Sequence, residues 1–351
     1  MKRALGAALA AVLLTTATQA LPADAAGGGK SKAKFTGTSY VAGAGAVSVK
    51  GKAPGGRRTV KLQVRTRGGW VTLKSKRTKK NGRYALSVPL DWYGTHKVRV
   101  LAQGRGGFSK TKKIAVSPGY APVGAGNDWA LLRSSTGTSY SFDPCRTVKY
   151  KVNVAQVDPA NLALVQRAVA QIGAATGIKT KYTGTTDIVP SLNPSAKFPG
   201  KTNLVVAFGN NSQAPQFAAG QADGLGGPRY ARNGRTKNGK RVAVTTQAGV
   251  TLQTEGYVNY TQGFESTGKP GIGNLMLHEI GHAFGLDHSR SGDEMMAAAA
   301  WTPDPDGVYR SRYGAGDLTG LKKVGLTQGC LSGSSSYRSA EFLVPAELTQ
   351  D

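Results

Sequence analysis

Three of the four histidines in this chain fall within eleven consecutive residues, HEIGHAFGLDH at positions 278–288, and that concentration restricts what can surround it. On an α-helix, side chains four apart lie one above the other, so His278 and His282 can present two imidazoles to a single ion. Glu279 is turned by about 100 degrees from that pair, out of the stack but within reach of a water beside the ion. Gly285 offers a place where the helix can end in a left-handed conformation at no steric cost. The chain can reverse there and return His288 to the other two rings. Three neutral imidazoles with a fourth position open to water form a catalytic zinc arrangement, because a structural site closes its shell with a fourth protein ligand.

The same residues resemble the metzincin metallopeptidases. HEIGHAFGLDH fits their extended H-E-x-x-H-x-x-G-x-x-H signature, and Met296, in Asp293-Glu294-Met295-Met296, fits their Met-turn. Ser289 and the interval to Met296 are most similar to the matrixin branch. The resemblance implies one catalytic zinc on His278, His282 and His288, Glu279 as general base, and Gly285 and Met296 as structural residues of the site. It implies an endopeptidase acting on polypeptides. Ala297 and Ala298 depart from the family pattern, which has an aromatic residue and a proline there, so the specificity wall is expected to have a different shape.

The chain opens with Met1-Lys2-Arg3, an apolar run over residues 4–14 and a small-residue end, the layout of a secretory signal over residues 1–25. Ala23-Asp24-Ala25 and Thr18-Gln19-Ala20 are both suitable cleavage boxes. The run is too short to span a bilayer, and no later stretch approaches that length. A secreted, monomeric, wall-associated or free extracellular protein is the expectation. The two cysteines, Cys145 and Cys330, flank the whole metal-motif region, and in an oxidising compartment they most simply form one disulfide. The competing reading, Cys145 masking the zinc, lacks the propeptide segment that accompanies such cysteines in matrixins.

Length suggests two domains. Residues 26–38 are rich in Gly, Ser and Lys and are expected to be a flexible tether. Residues 39–118 contain short alternating stretches at 46–50, 59–64, 70–73, 84–88, 96–100 and 113–116, separated by turns such as Asn81-Gly82. This pattern predicts an all-β sandwich and resembles bacterial immunoglobulin-like accessory modules. The chain carries 46 lysines and arginines against 19 acids, a formal charge of +27. Through residue 130 the only acids are Asp24, Asp91 and Asp128. A surface of this sign suits polyanions, and export favours an anionic cell-envelope polymer. No recognition helix, zinc finger or interleaved aromatic pattern supports specific nucleic-acid binding. His96 reads as an ordinary strand residue.

Residues 119–140 form the expected linker, residues 141–335 the catalytic domain and residues 336–351 a tail. The catalytic domain is expected to be α/β, with a twisted, mostly parallel sheet, an active-site helix and a C-terminal helix. Alternation over 147–154 predicts a strand. Asp158-Pro159 then starts a helix carrying Leu162, Val165, Val169 and Ile172 on one face and stopping near Gly177. Residues 202–208 and 241–245 are further strands, the latter expected at the sheet edge above the cleft, where an extended substrate would pair. Residues 209–240 read as a long glycine-rich loop. It has no histidine and Asp223 as its one acid, so a second zinc is not expected; calcium through backbone carbonyls is left open. Pro199-Gly200-Lys201-Thr202 is no phosphate loop, because Ser195 stands where its first glycine is needed. A terminal helix is expected from Asp317, and Tyr309 or Tyr313 is available to approach a substrate. The rival function is a secreted surface-binding protein whose basic module does the work and whose metzincin domain is silent.

Overall fold

A computed structural model describes residues 31–339, apart from 105–106, 194, 221, 256–258 and 299. The expected signal segment and the last twelve residues lie outside that range. The first region contains β1 (Lys32–Thr36), β2 (Ser39–Val41), β3 (Val47–Lys52), β4 (Thr59–Thr66), β5 (Gly69–Arg77), β6 (Arg83–Val88), β7 (Gly94–Ala102) and β8 (Lys112–Ser117). They form a three-stranded sheet, β1-β3-β6, and a five-stranded sheet, β2-β8-β7-β4-β5. Period-two alternation sends Val47, Val49, Tyr84 and Leu86 inward from the first sheet, and Val60, Leu62, Val98, Val100 and Ile114 from the second, into one core. Residues 26–38 were expected to be a tether, but from Lys32 they form a strand. Ala33 and Phe35 alternate with exposed residues and pack against this core, which outweighs the loop-like composition.

The second region contains β9 (Ala130–Leu131), β10 (Tyr140–Phe142), β11 (Val148–Asn153), α1 (Asn161–Thr176), β12 (Thr180–Thr185), β13 (Leu204–Gly209), α2 (Pro215–Ala218), β14 (Gly224–Arg235), β15 (Arg241–Gln253), β16 (Glu265–Thr267), α3 (Ile272–Ala283), β17 (Leu286–Asp287), β18 (Val308–Arg310), α4 (Ala315–Val324) and β19 (Ser332–Ser339). Its main sheet runs β12-β11-β13-β15-β14-β19, with β10 also paired to β15. The pairs β12–β11, β11–β13, β13–β15 and β10–β15 are parallel; β14 is antiparallel to both neighbours. The helix expected after Asp158-Pro159 is α1. It buries Val165, Val169 and Ile172 completely, each contributing on the order of 1.5–3 kcal/mol.

Two expectations for this sheet are corrected. Residues 241–245 are internal, paired to β14 on one side and to β10 on the other, so they offer no free edge. Much of the loop expected over 209–240 is β14, a strand despite four glycines and a proline. Glycine weakens a strand through entropy and lost packing, but here it allows α3 to lie against the backbone. A Cβ on Gly226 would stand 2.2 Å from the carbonyl oxygen of Glu279. The last strand, β19, crosses the boundary expected at residue 335 and pairs with the far half of β14.

The expected linker is also more than a connection. Leu131 and Ala130 pair with Leu286 and Asp287, between the second and third histidines of the motif. Asp128 accepts hydrogen bonds from the backbone N–H groups of Arg290 (3.1 Å) and Ser291 (2.9 Å), just past the third. Cys145 and Cys330 are joined in a disulfide across 185 residues. Among the described residues no helix is long and apolar enough to cross a membrane.

Candidate metal centre

The helix that carries His278 and His282 is α3, and its sequence explains its burial. Ile272, Leu275, Met276 and Ile280 join Ala283 and Phe284 in the main core, fixing the rotation of the helix and hence the direction of its imidazoles. His278 is 1% exposed and His282 is fully buried. Past Ala283 the chain turns at Gly285, which takes φ 103°. A side chain is excluded there twice, by that conformation and because a Cβ would lie 2.5 Å from the carbonyl oxygen of Tyr140.

The reversal brings the three histidines together as the spacing predicts. Their Nε2 atoms are 3.0 Å (His278–His282), 3.2 Å (His278–His288) and 3.3 Å (His282–His288) apart. A tetrahedral zinc with Zn–N bonds of about 2.0–2.1 Å requires ligand nitrogens roughly 3.3 Å apart. The donor set supports the fit. His278 Nδ1 donates to the carbonyl of Met295 and His282 Nδ1 to that of Leu286, each at 2.9 Å. Carbonyls only accept, so both neutral rings turn an unprotonated Nε2 inward. Burial pushes His278 down to about 3, with the charge of His288 adding to the effect, and holds His282 well below the ordinary histidine range. Burial lowers half-buried His288 as well. The two inward lone pairs repel unless a cation, or a proton on His288 Nε2, lies between them.

Glu279 is 2% exposed, and among the described residues its Oε2 has no hydrogen-bond partner. Burial first, then the charge of Asp223, pushes its carboxyl up to about 8. Asp223 Oδ2 accepts a hydrogen bond from the hydroxyl of Tyr260 at 2.8 Å. Met296 lies beneath the helix: a Cβ on Gly281, between the first two histidines, would meet its Sδ at 2.3 Å. Ser289 and Met296 close the intervening loop, the N–H of Ser289 donating to the Met296 carbonyl at 2.7 Å.

Several residues of this surround carry no local sequence signal. Asp317, the third residue of α4, reaches back to accept hydrogen bonds from the N–H groups of Met295 (2.6 Å), Met296 (3.2 Å) and Gly314 (2.9 Å). Glu294 reciprocates at the start of α4, accepting from Gly316 (2.9 Å) and Asp317 (3.0 Å). The Met295 carbonyl held by this clasp takes two donors, His278 Nδ1 and the indole N–H of Trp301. The Trp301 ring stands edge-on to His278 at 5.8 Å. Tyr313, a candidate substrate contact from sequence, is fully buried and donates to the Leu277 carbonyl; it is part of the scaffold. Tyr309 lies in β18, paired to β16. His96 is buried, stacked on Trp92 and bonded to its carbonyl, as befits an ordinary strand residue.

No protein-family model matches the chain, and no curated protein matches it. What the fold and the site define is a two-region protein with a buried three-histidine centre suited to a divalent metal.

Proposed function

We propose that the chain is a secreted zinc-dependent endopeptidase of metzincin type, closest to the matrixins. The observation that carries the reading is the convergence of three inward Nε2 atoms within 3.3 Å, next to a buried carboxylate that has an unpartnered oxygen. His278, His282 and His288 would hold the metal. Bound there, zinc supplies the positive charge that acidifies a water and polarises a scissile carbonyl. Glu279 takes a proton from the attacking water and delivers it to the departing amine. Burial raises the proton affinity of this carboxyl, which suits the delivery of the proton, and the positive charge of a bound metal would favour the ionised form that accepts it. Met296 supports the floor of the site. In this reading residues 1–25 are the export signal, the β-region up to residue 118 is an immunoglobulin-like accessory module, and the hydrolase extends to residue 335.

The test uses the mature protein on casein, with and without chelator, beside Glu279→Gln. The wild type is expected to cleave, to lose activity with chelator and to regain it with zinc. Glu279→Gln should bind zinc equally well while turnover falls roughly 10²–10⁴-fold. A zinc-loaded wild type that cleaves no polypeptide would refute the proposal.

A further inference from the structure

The outer face of the β1-β3-β6 sheet carries like charges in register. Lys32 lies opposite Lys52, and Lys52 opposite Arg83; in the next row Lys34 lies opposite Lys50, and Lys50 opposite Ala85. The third row is Thr36, Ser48 and Ser87. Like charges directly opposite on one face destabilise a sheet. Edge lysines are a known guard against edge-to-edge pairing, but Lys50 and Lys52 belong to the central strand, where that purpose does not apply. Residues 31–118 contain 21 lysines and arginines and one acid, Asp91. Asp91 accepts a hydrogen bond from the N–H of Gly43. Salt bridges among the described residues include those of Arg146, Arg310 and Arg312, all in the second region.

This face continues into a groove of about 350 Å³ where β5 of the other sheet runs alongside β6. Its walls carry Lys50, Lys74 and Lys76, and its floor includes the small side chains of Ser48, Ala85 and Ser87. Lys74 is held in place, donating to the Ser87 carbonyl at 2.8 Å, and the hydroxyls of Ser48 and Ser87 are 3.0 Å apart. Sheet geometry spaces the charges at about 5 Å across strands and about 7 Å along them. A flexible linear polymer with one anion every few bonds can follow that spacing.

We infer that this face and groove form a binding site for a linear polyol-phosphate polymer, separate from the metal centre. Lysine binds phosphate as a point charge, from many directions, so the lysines of this face can hold successive phosphates of a flexible chain without the fixed bidentate geometry of an arginine fork. Bases need rings to stack on, and the outward positions of this sheet hold none. The rings lie on the five-stranded sheet instead, where the Arg99 guanidinium already covers Trp70 at 4.1 Å and Phe108 at 3.6 Å.

The experiment measures binding of full-length mature protein to poly(glycerol phosphate) by calorimetry at several salt concentrations. Two triple variants with equal charge change are compared, Lys50→Ser/Lys74→Ser/Lys76→Ser in the groove and Lys97→Ser/Lys112→Ser/Lys113→Ser on the other sheet. The groove variant is expected to lose at least tenfold in affinity, and its slope of log K against log salt to fall by about 2. The control is expected to stay within threefold of wild type, with both variants melting like the parent. Equal losses in the two variants would reduce the site to bulk charge and overturn the inference. So would the absence of salt-sensitive binding, or tighter binding to single-stranded DNA or a polyuronate. Casein cleavage is read in parallel; its failure would strike the peptidase reading and leave this result standing.

Discussion

Asp317→Ala tests whether the carboxylate clasp beneath the metal centre is part of its machinery. The substitution removes the acceptor for three backbone donors, Met295, Met296 and Gly314. Asp317 is 1% exposed. A buried donor left without a partner costs about 1–3 kcal/mol, so the three together come to roughly 3–6 kcal/mol after partial relaxation. The local consequence matters more. Met295 presents the carbonyl that fixes the tautomer of His278, and loosening such an outer partner costs about 10–100-fold in metal affinity. The assay is zinc competition against a chromophoric chelator, with urea unfolding on the same samples. Ile172→Ala, in α1, is the control, since a core truncation costs a comparable 2–5 kcal/mol without touching the clasp. Asp317→Ala should lose stability and at least tenfold in zinc affinity, and Ile172→Ala stability alone. Equal zinc affinity in Asp317→Ala and wild type would refute the reasoning.

The remaining predictions concern the rest of this frame. Burial, with the nearby charge of Asp317 adding to it, pushes Glu294 up to about 7 from an ordinary 4.5. The folded protein thus keeps a proton that the unfolded chain releases: this contribution to stability is full below about pH 4.5 and is lost as pH rises through 7. Urea midpoints of metal-free wild type should decline across that window relative to Glu294→Gln, and parallel curves would contradict the shift. Gly226→Ala places a methyl 2.2 Å from the Glu279 carbonyl oxygen, so β14 must move off α3 at about 1–3 kcal/mol; an unchanged melting temperature would show the contact to be looser than described. Replacing Cys145 and Cys330 by Ser releases a loop of 185 residues, for which chain entropy gives roughly 5 kcal/mol. A urea midpoint unmoved by the double substitution would mean the crosslink adds nothing.

Elements with local periodicity were legible in the sequence. The alternation of β3 to β8, the apolar face of α1 and the spacing of the three histidines each depend on neighbours a few residues away, and each is found where the pattern places it. β1 was misread because Lys32 to Thr36 have a tether's composition and only two inward side chains to set against it. β14 was missed for the opposite reason: strands are depleted in glycine, and the need for glycine there comes from α3, some fifty residues later. The clasp of Glu294 and Asp317, the hold of Asp128 on residues 290–291 and the indole of Trp301 all join parts of the chain that no local period relates. An isolated acid in a turn reads as solvated until its distant backbone partners are known.

The short pairing of Ala130 and Leu131 with Leu286 and Asp287 has a consequence for where the chain can be cut. It makes residues 128–131 a splint on the turn between His282 and His288, with Asp128 as its last tie. A processing protease that frees the β-module while sparing the histidine cluster therefore has to cut upstream of Asp128. A nick a few residues later would remove that splint from the turn that carries the third imidazole.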